Sequence, residues 1–127
     1  MNEFTIKQKL PSLNDYIDVC RRNKYQAAQF KTEVEEVIGW AIKQAQAKGE
    51  LKPTDKPIVV QFEWHEKTQR RDADNIAAAK KFILDAMQKF NIIPNDNRKY
   101  VKEFYDRVID DTYDGVKVII HELQQNS

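Results

Sequence analysis

The chain has 127 residues, with 21 Lys+Arg against 20 Asp+Glu and a formal net charge of +1. That length fits one domain, 1–127, large enough to bury a core without staples; 41% hydrophobic and 32% charged residues fit a globular chain and exclude a disordered one. The single cysteine, Cys20, excludes an internal disulfide and a cysteine metal cluster, and no apolar run approaches the length of a membrane span.

Residues 3–9 alternate and predict a short strand with Phe4 and Ile6 on one face. Leu10-Pro11-Ser12-Leu13-Asn14-Asp15 reads as a turn or loop. Over 25–48, Phe30, Val34, Val37, Ile38, Ala41, Ile42 and Ala45 recur at spacings of three and four, and Gly49 stands where a helix stops, so this is a long helix with Trp40 on an apolar stripe. Residues 57–65 alternate, with Ile58, Val60, Phe62 and Trp64 on the buried face of a strand. A polar loop over 66–71 leads to one helix over 73–90, and Pro94 with the Asn/Asp cluster around it ends that helix in a loop. Residues 100–109 and 116–121 are rich in β-branched and aromatic side chains, and 110–115 reads as a hairpin loop between them. The tail, 122–127, is polar and is expected to fray. The order β-α-β-α-β-β predicts an α/β (mixed α+β) domain, a small mixed sheet packed on two main helices. No apolar segment opens the chain as a signal peptide does, so a cytoplasmic location is expected.

Charge is unevenly spread. Residues 67–102 hold nine basic groups (Lys67, Arg70, Arg71, Lys80, Lys81, Lys89, Arg98, Lys99, Lys102) and four aspartates (Asp72, Asp74, Asp85, Asp96), whereas 103–127 is net acidic. A basic segment with aspartates set inside it suits a polyanion held beside a metal ion; the plain alternative is a solvated face. The informative stretch is Arg70-Arg71-Asp72-Ala73-Asp74-Asn75, then a helix, then Asn95-Asp96-Asn97. Hard carboxylate oxygens suit Mg²⁺ or Mn²⁺, which keep waters and accept phosphate oxygens, and can activate water toward a phosphodiester. Nearby cations, Arg70, Arg71, Lys80 and Lys81, could then neutralise phosphate. Each aspartate also has a plain role. Asp72 or Asp74 could cap the helix, Asp96 could form a turn, and Lys81 with Asp85 could be a surface i,i+4 pair. Asp96 reaches the other two only if 91–97 runs back along the helix, or across a dimer.

Other motifs fail on spacing. His65-Glu66-Lys67-Thr68-Gln69 lacks the second histidine of a zinc motif, and Asp72-Ala73-Asp74 lacks the glycine and glutamate of a calcium loop. Three glycines exclude a phosphate-binding glycine loop. His65 and His121 read as surface strand residues, Cys20 as a buried or inert thiol, and Trp40 and Trp64 as core.

Arg70-Arg71-Asp72-Ala73-Asp74-Asn75, a helix ending Ile83-Leu84-Asp85-Ala86-Met87, and Ile92-Ile93-Pro94-Asn95-Asp96 together resemble the RusA family of Holliday junction resolvases, small bacterial and prophage endonucleases. Leu10-Pro11-Ser12-Leu13-Asn14 resembles that family's turn after its first strand, and the strand order is similar along nearly the whole chain. The resemblance implies a Mg²⁺-dependent endonuclease, with Mn²⁺ as substitute, that resolves four-way DNA junctions by paired symmetric nicks in recombination and repair. It implies metal binding by Asp72, Asp74 and Asp96, a functional lysine at Lys81 or Lys80, and DNA contacts from Lys67, Arg70, Arg71, Asn14, Arg98 and Lys99. It also implies a homodimer, which suits a near two-fold junction cut on two strands. The competing readings are a non-catalytic nucleic-acid-binding protein and a less selective metal-dependent nuclease.

Overall fold

A computed structural model describes residues 2–123. Its elements in order are β1 (Asn2–Ile6), α1 (Leu13–Arg22), α2 (Lys24–Ala47), β2 (Ile58–Glu66), α3 (Ala73–Ala77), α4 (Lys80–Lys89), β3 (Val101–Asp110) and β4 (Gly115–Glu122). The fold is mixed α/β. Its four-stranded sheet runs β1-β4-β2-β3, antiparallel except for the parallel pair β2/β3.

Alternation decides which face of the sheet is covered. The rows Phe4–Val118–Phe62 and Ile6–Val116–Trp64 lie across three strands, and every one of these side chains is buried. They share one core with Ile38 and Ile42 of α2 and with Ile83 and Met87 of α4. Each fully buried aliphatic or aromatic side chain of this kind contributes roughly 1.5–3 kcal/mol of transfer free energy. On the opposite face, Val59 and Ile119 stand outside this main core.

Two helices end alike. Gly49, at φ 74°, follows the C-cap of α2, Lys48, and Gly49 N–H and Glu50 N–H bond back to Gln46 and Ala45 carbonyls. Asn91, at φ 61°, does the same after α4, with Asn91 N–H on the Gln88 carbonyl and Ile92 N–H on the Met87 carbonyl at 2.8 Å. Both are Schellman stops, and glycine and asparagine are the residues that tolerate the left-handed position.

Several expectations are corrected. Residues 13–22 form a helix, α1, whose first three residues fall in the segment expected to be a turn or loop and whose remainder carried no assignment. Ser12 Oγ accepts from Asp15 N–H and Asp15 Oδ2 accepts from Ser12 N–H, a capping box with aspartate in place of the usual glutamate. The helix over 73–90 is two helices, interrupted at Ala78–Ala79, where Ala79 N–H turns to the Ile76 carbonyl and Phe82 N–H to Ala79 in i→i−3 bonds. Residues 110–115 are no hairpin loop: β2 lies between β3 and β4, so this connection passes over the end of β2 and ties to it through Asp111 N–H on the Glu66 carbonyl. Trp40 is 70% exposed, because it falls on the outer side of α2, and Cys20 is exposed on α1. His65 is only half-buried, paired to Asp111. Of the tail, 124–127 lies outside the described residues. No helix among the described residues is long and apolar enough to cross a membrane.

Candidate functional site

The loop between β2 and α3 is held by an ion pair. Glu66, the last residue of β2, is 4% exposed, and its carboxylate receives Arg71 Nε and Nη2, each at 2.9 Å. Arg71 Nη1 also donates to the Leu10 carbonyl at 2.9 Å. A bidentate arginine is geometrically exacting, so this contact fixes the loop ahead of α3 against the segment that begins α1. Asp72 follows directly. It occupies the N-cap position of α3 with extended backbone, yet its side chain makes no capping hydrogen bond. Asp72 and Asp74 are exposed, and Asp74 Oδ1 accepts only from the neighbouring Asn75 N–H, at 3.0 Å.

The loop after α4 does run back along the helix. The Schellman stop at Asn91 reverses the chain, and Ile92 and Ile93, both buried, anchor the return. Thr54 N–H bonds the Ile92 carbonyl across it. Asn97 N–H then bonds Asn95 Oδ1 at 3.0 Å in an Asx turn. This delivers Asp96 to the first turn of α4, where its Oδ2 lies 2.7 Å from Lys81 Nζ. Lys81 also meets Asp85 Oδ1 at 3.0 Å, and Asp85 Oδ2 lies 3.4 Å from Lys31 Nζ. The Asp96 carboxyl is held below its ordinary value, chiefly by the hydrogen bond from Lys81. Lys81 is raised in turn, first by Asp96 and then by Asp85.

Lys80 points elsewhere. It pairs with Asp106 of β3, whose other oxygen accepts from the Trp64 indole at 2.9 Å, and its ammonium lies 5.2 Å from the Phe104 ring centroid. The two lysines left open by sequence therefore have separate partners, and Lys81 is the one beside a candidate carboxylate. Asp106 is a contact that sequence reasoning missed. Its only sequence signal is an aspartate on the same strand face as Phe104 and Val108.

Lys67, Arg70, Arg98, Lys99 and Asn14 are all exposed, on the loops around these aspartates and in the first turn of α1. Lys99 rests 5.3 Å from the Tyr100 ring. Arg71 differs from them, since three of its nitrogens are already engaged within the fold. Between α1 and α4 lies a cleft of about 320 Å³, with Leu13, Tyr16 and Phe82 on its walls and Lys81 and Asp85 at its side. Tyr16 packs edge-on against Phe82.

The donor set fits a metal only in part. Among the described residues, no three His, Cys, Asp or Glu side chains group closely enough to share an ion. Asp72 and Asp74 are a pair of exposed hard-oxygen donors, and Mg²⁺ commonly uses one or two carboxylates together with water and substrate phosphate. Asp96 is occupied by the Lys81 ammonium. No protein-family model matches this chain, and no curated protein matches it at a significant level.

Proposed function

We propose that the protein is a Mg²⁺-dependent, structure-selective endonuclease that hydrolyses phosphodiesters in four-way DNA junctions, acting as a homodimer in recombination and repair. The observation that carries this reading is the contact of Asp96 with Lys81 in the first turn of α4. It puts the loop bearing Asp96 at the same end of the helix that Asp72 and Asp74 precede by a few residues. The two halves of the motif, far apart along the chain, thus both lie toward the N-terminal end of α4, one through α3 and the other through the returning loop.

Asp72 and Asp74 are the residues that would hold the ion, with Asp96 as a third ligand in competition with Lys81. A divalent ion, when bound, supplies positive charge against the phosphodiester and lowers the pKa of water. Lys67, Arg70, Arg98 and Lys99 carry exposed positive charge around this end and would neutralise backbone phosphates. Arg71 acts as a positioning residue, setting the direction from which Asp72 leaves the loop. Lys81 is placed to orient Asp96 and to offset charge on phosphate. The apolar walls of the neighbouring cleft suit an unstacked base.

The test is cleavage of a labelled synthetic junction by Asp74→Asn in Mg²⁺, with a linear duplex alongside. The expected result is retained junction binding and a loss of cleavage of about 100-fold or more, the order seen when a charge-stabilising group is removed. Wild-type cleavage by that variant would remove Asp74 from the site. Junction binding by the wild type with no product in Mg²⁺ or Mn²⁺ would indicate a non-catalytic binding protein, the reading that the ungrouped carboxylates favour. Equal cutting of duplex and junction would favour a less selective nuclease.

A further inference from the structure

The sheet has two edges, and they differ. β1 is five residues long, and its edge is engaged by the segment after α2, through Glu3 N–H on the Glu50 carbonyl and the Asn2 side chain on Lys52. β3 is ten residues long, with no proline, and from Glu103 to Asp110 it pairs with β2 without a register shift. Nothing among the described residues pairs with its other edge. Residues 102–108 are all exposed, including Phe104, Tyr105 and Val108. A long, regular, partly apolar edge is a template for another strand.

We propose that β3 pairs antiparallel with β3 of a second copy of this chain, about a two-fold axis through Tyr105. The register follows from symmetry and charge. A two-fold axis perpendicular to the sheet places residues of the same strand face opposite one another, so it must pass through a residue. An axis at Asp106 would set two aspartates face to face. Over the regular stretch 103–110, an axis at Phe104 would pair only 103–105, whereas one at Tyr105 pairs 103–107.

With the axis at Tyr105, Glu103 stands opposite Arg107 of the second copy, and this occurs twice. The two Tyr105 rings meet. On the helix-bearing face, Phe104 lies diagonal to Phe104 and Val108 of the second copy. No like charges stand opposite one another. Within one copy, Glu103 and Arg107 take part in none of the ion pairs among the described residues; Glu103 accepts only the Tyr105 hydroxyl, at 3.1 Å. The pairing gives both charges partners. It makes one continuous sheet with the helices of both copies on one side, so that both Lys81–Asp96 clusters lie on that side. Its purpose rests on the two-fold junction reading above, while its geometry does not.

The experiment is a cross-link without DNA. In a Cys20→Ser background, Tyr105→Cys places two cysteines opposite each other with Cα atoms about 4.5–5.5 Å apart, within disulfide reach. Copper-phenanthroline oxidation is expected to give a reducible covalent dimer. Lys102→Cys, whose copies would lie about 20 Å apart, is expected to stay uncross-linked. Equal cross-linking of the two variants, or none by Tyr105→Cys, would overturn the proposal. Sedimentation equilibrium supplies a second reading. Arg107→Glu and Glu103→Arg should each weaken the dimer about 10-fold, and the double swap Glu103→Arg/Arg107→Glu should restore it. A double variant as weak as the singles overturns the register. Junction cleavage is scored separately: a cross-linked protein that does not cut sinks the nuclease reading alone, and a cutting protein that fails to cross-link sinks this one.

Discussion

Arg71 shows how one side chain can be assigned one role from sequence and hold another in the structure. Beside Arg70 it reads as a phosphate contact. In the fold its guanidinium is consumed by Glu66 and the Leu10 carbonyl, with side chains only 15% and 5% exposed. Removing it leaves a buried carboxylate without a counter-charge, the circumstance in which breaking an ion pair is most costly. Arg71→Ala is therefore expected to lose about 3–5 kcal/mol of unfolding free energy, read from urea denaturation. Arg71→Lys should recover only part, because an ammonium cannot make the two parallel bonds. A loss below about 1 kcal/mol would mean the pair behaves as a surface contact. Lys80 and Lys81 teach a related lesson. Adjacent residues on a helix point about 100° apart, so one reaches Asp106 at the sheet edge and the other Asp96 in the returning loop. Neither partner is near its lysine in sequence.

At the scale of elements, local chemistry explains some boundaries and not others. The stops at Gly49 and Asn91 follow from residues that accept a positive φ. The start of α1 was equally present in the sequence, as Ser12 followed three residues on by Asp15, but Pro11 and Asn14 pulled the reading toward a turn. Ser12→Ala removes the acceptor for Asp15 N–H and is expected to cost about 1 kcal/mol, measured by chemical denaturation. Asp15→Ala should cost less, since it spares that bond and removes only the reciprocal one. A neutral Ser12→Ala would mean that packing alone sets the start of α1. The break between α3 and α4 has no such local signal. It falls at Ala78–Ala79, residues that favour continuous helix, with Ile76 and Ala79 buried on either side of the turn, so it belongs to the packing of the core.

Across the whole molecule, topology is the feature least visible from the chain. Two strands joined by a short Asp-rich loop read as a hairpin, yet the loop carries the chain past the end of β2 so that β2 can pair with both. That passage is held by Asp111, whose Oδ2 lies 2.8 Å from His65 Nδ1, while the His65 ring stacks on Tyr113. The Asp111 carboxyl is held below its ordinary value, chiefly by the Thr112 N–H and next by His65. A carboxyl lowered in the folded state favours folding above its ordinary value near about 4 and loses that contribution as pH falls through the lowered value. Unfolding midpoints in urea, followed from about pH 6 down to about pH 3, should therefore decline less steeply for Asp111→Asn than for the wild type. Parallel declines would show that this contact does not contribute to acid sensitivity.

The alternation of 57–65 and the apolar period of 25–48 and 73–90 determined β2, α2, the helical character of 73–90 and the larger part of the core, because burial of one face is written directly into residue spacing. The basic segment and its aspartates were equally plain in the chain. Tertiary structure alone decided that β3 lies beside β2 in parallel, that Trp40 faces solvent, that Arg71 is spent on Glu66, and that Asp96 returns to Lys81. Each of these depends on contacts between residues distant in sequence, and neither spacing nor local propensity carries information about which distant partner a side chain will meet.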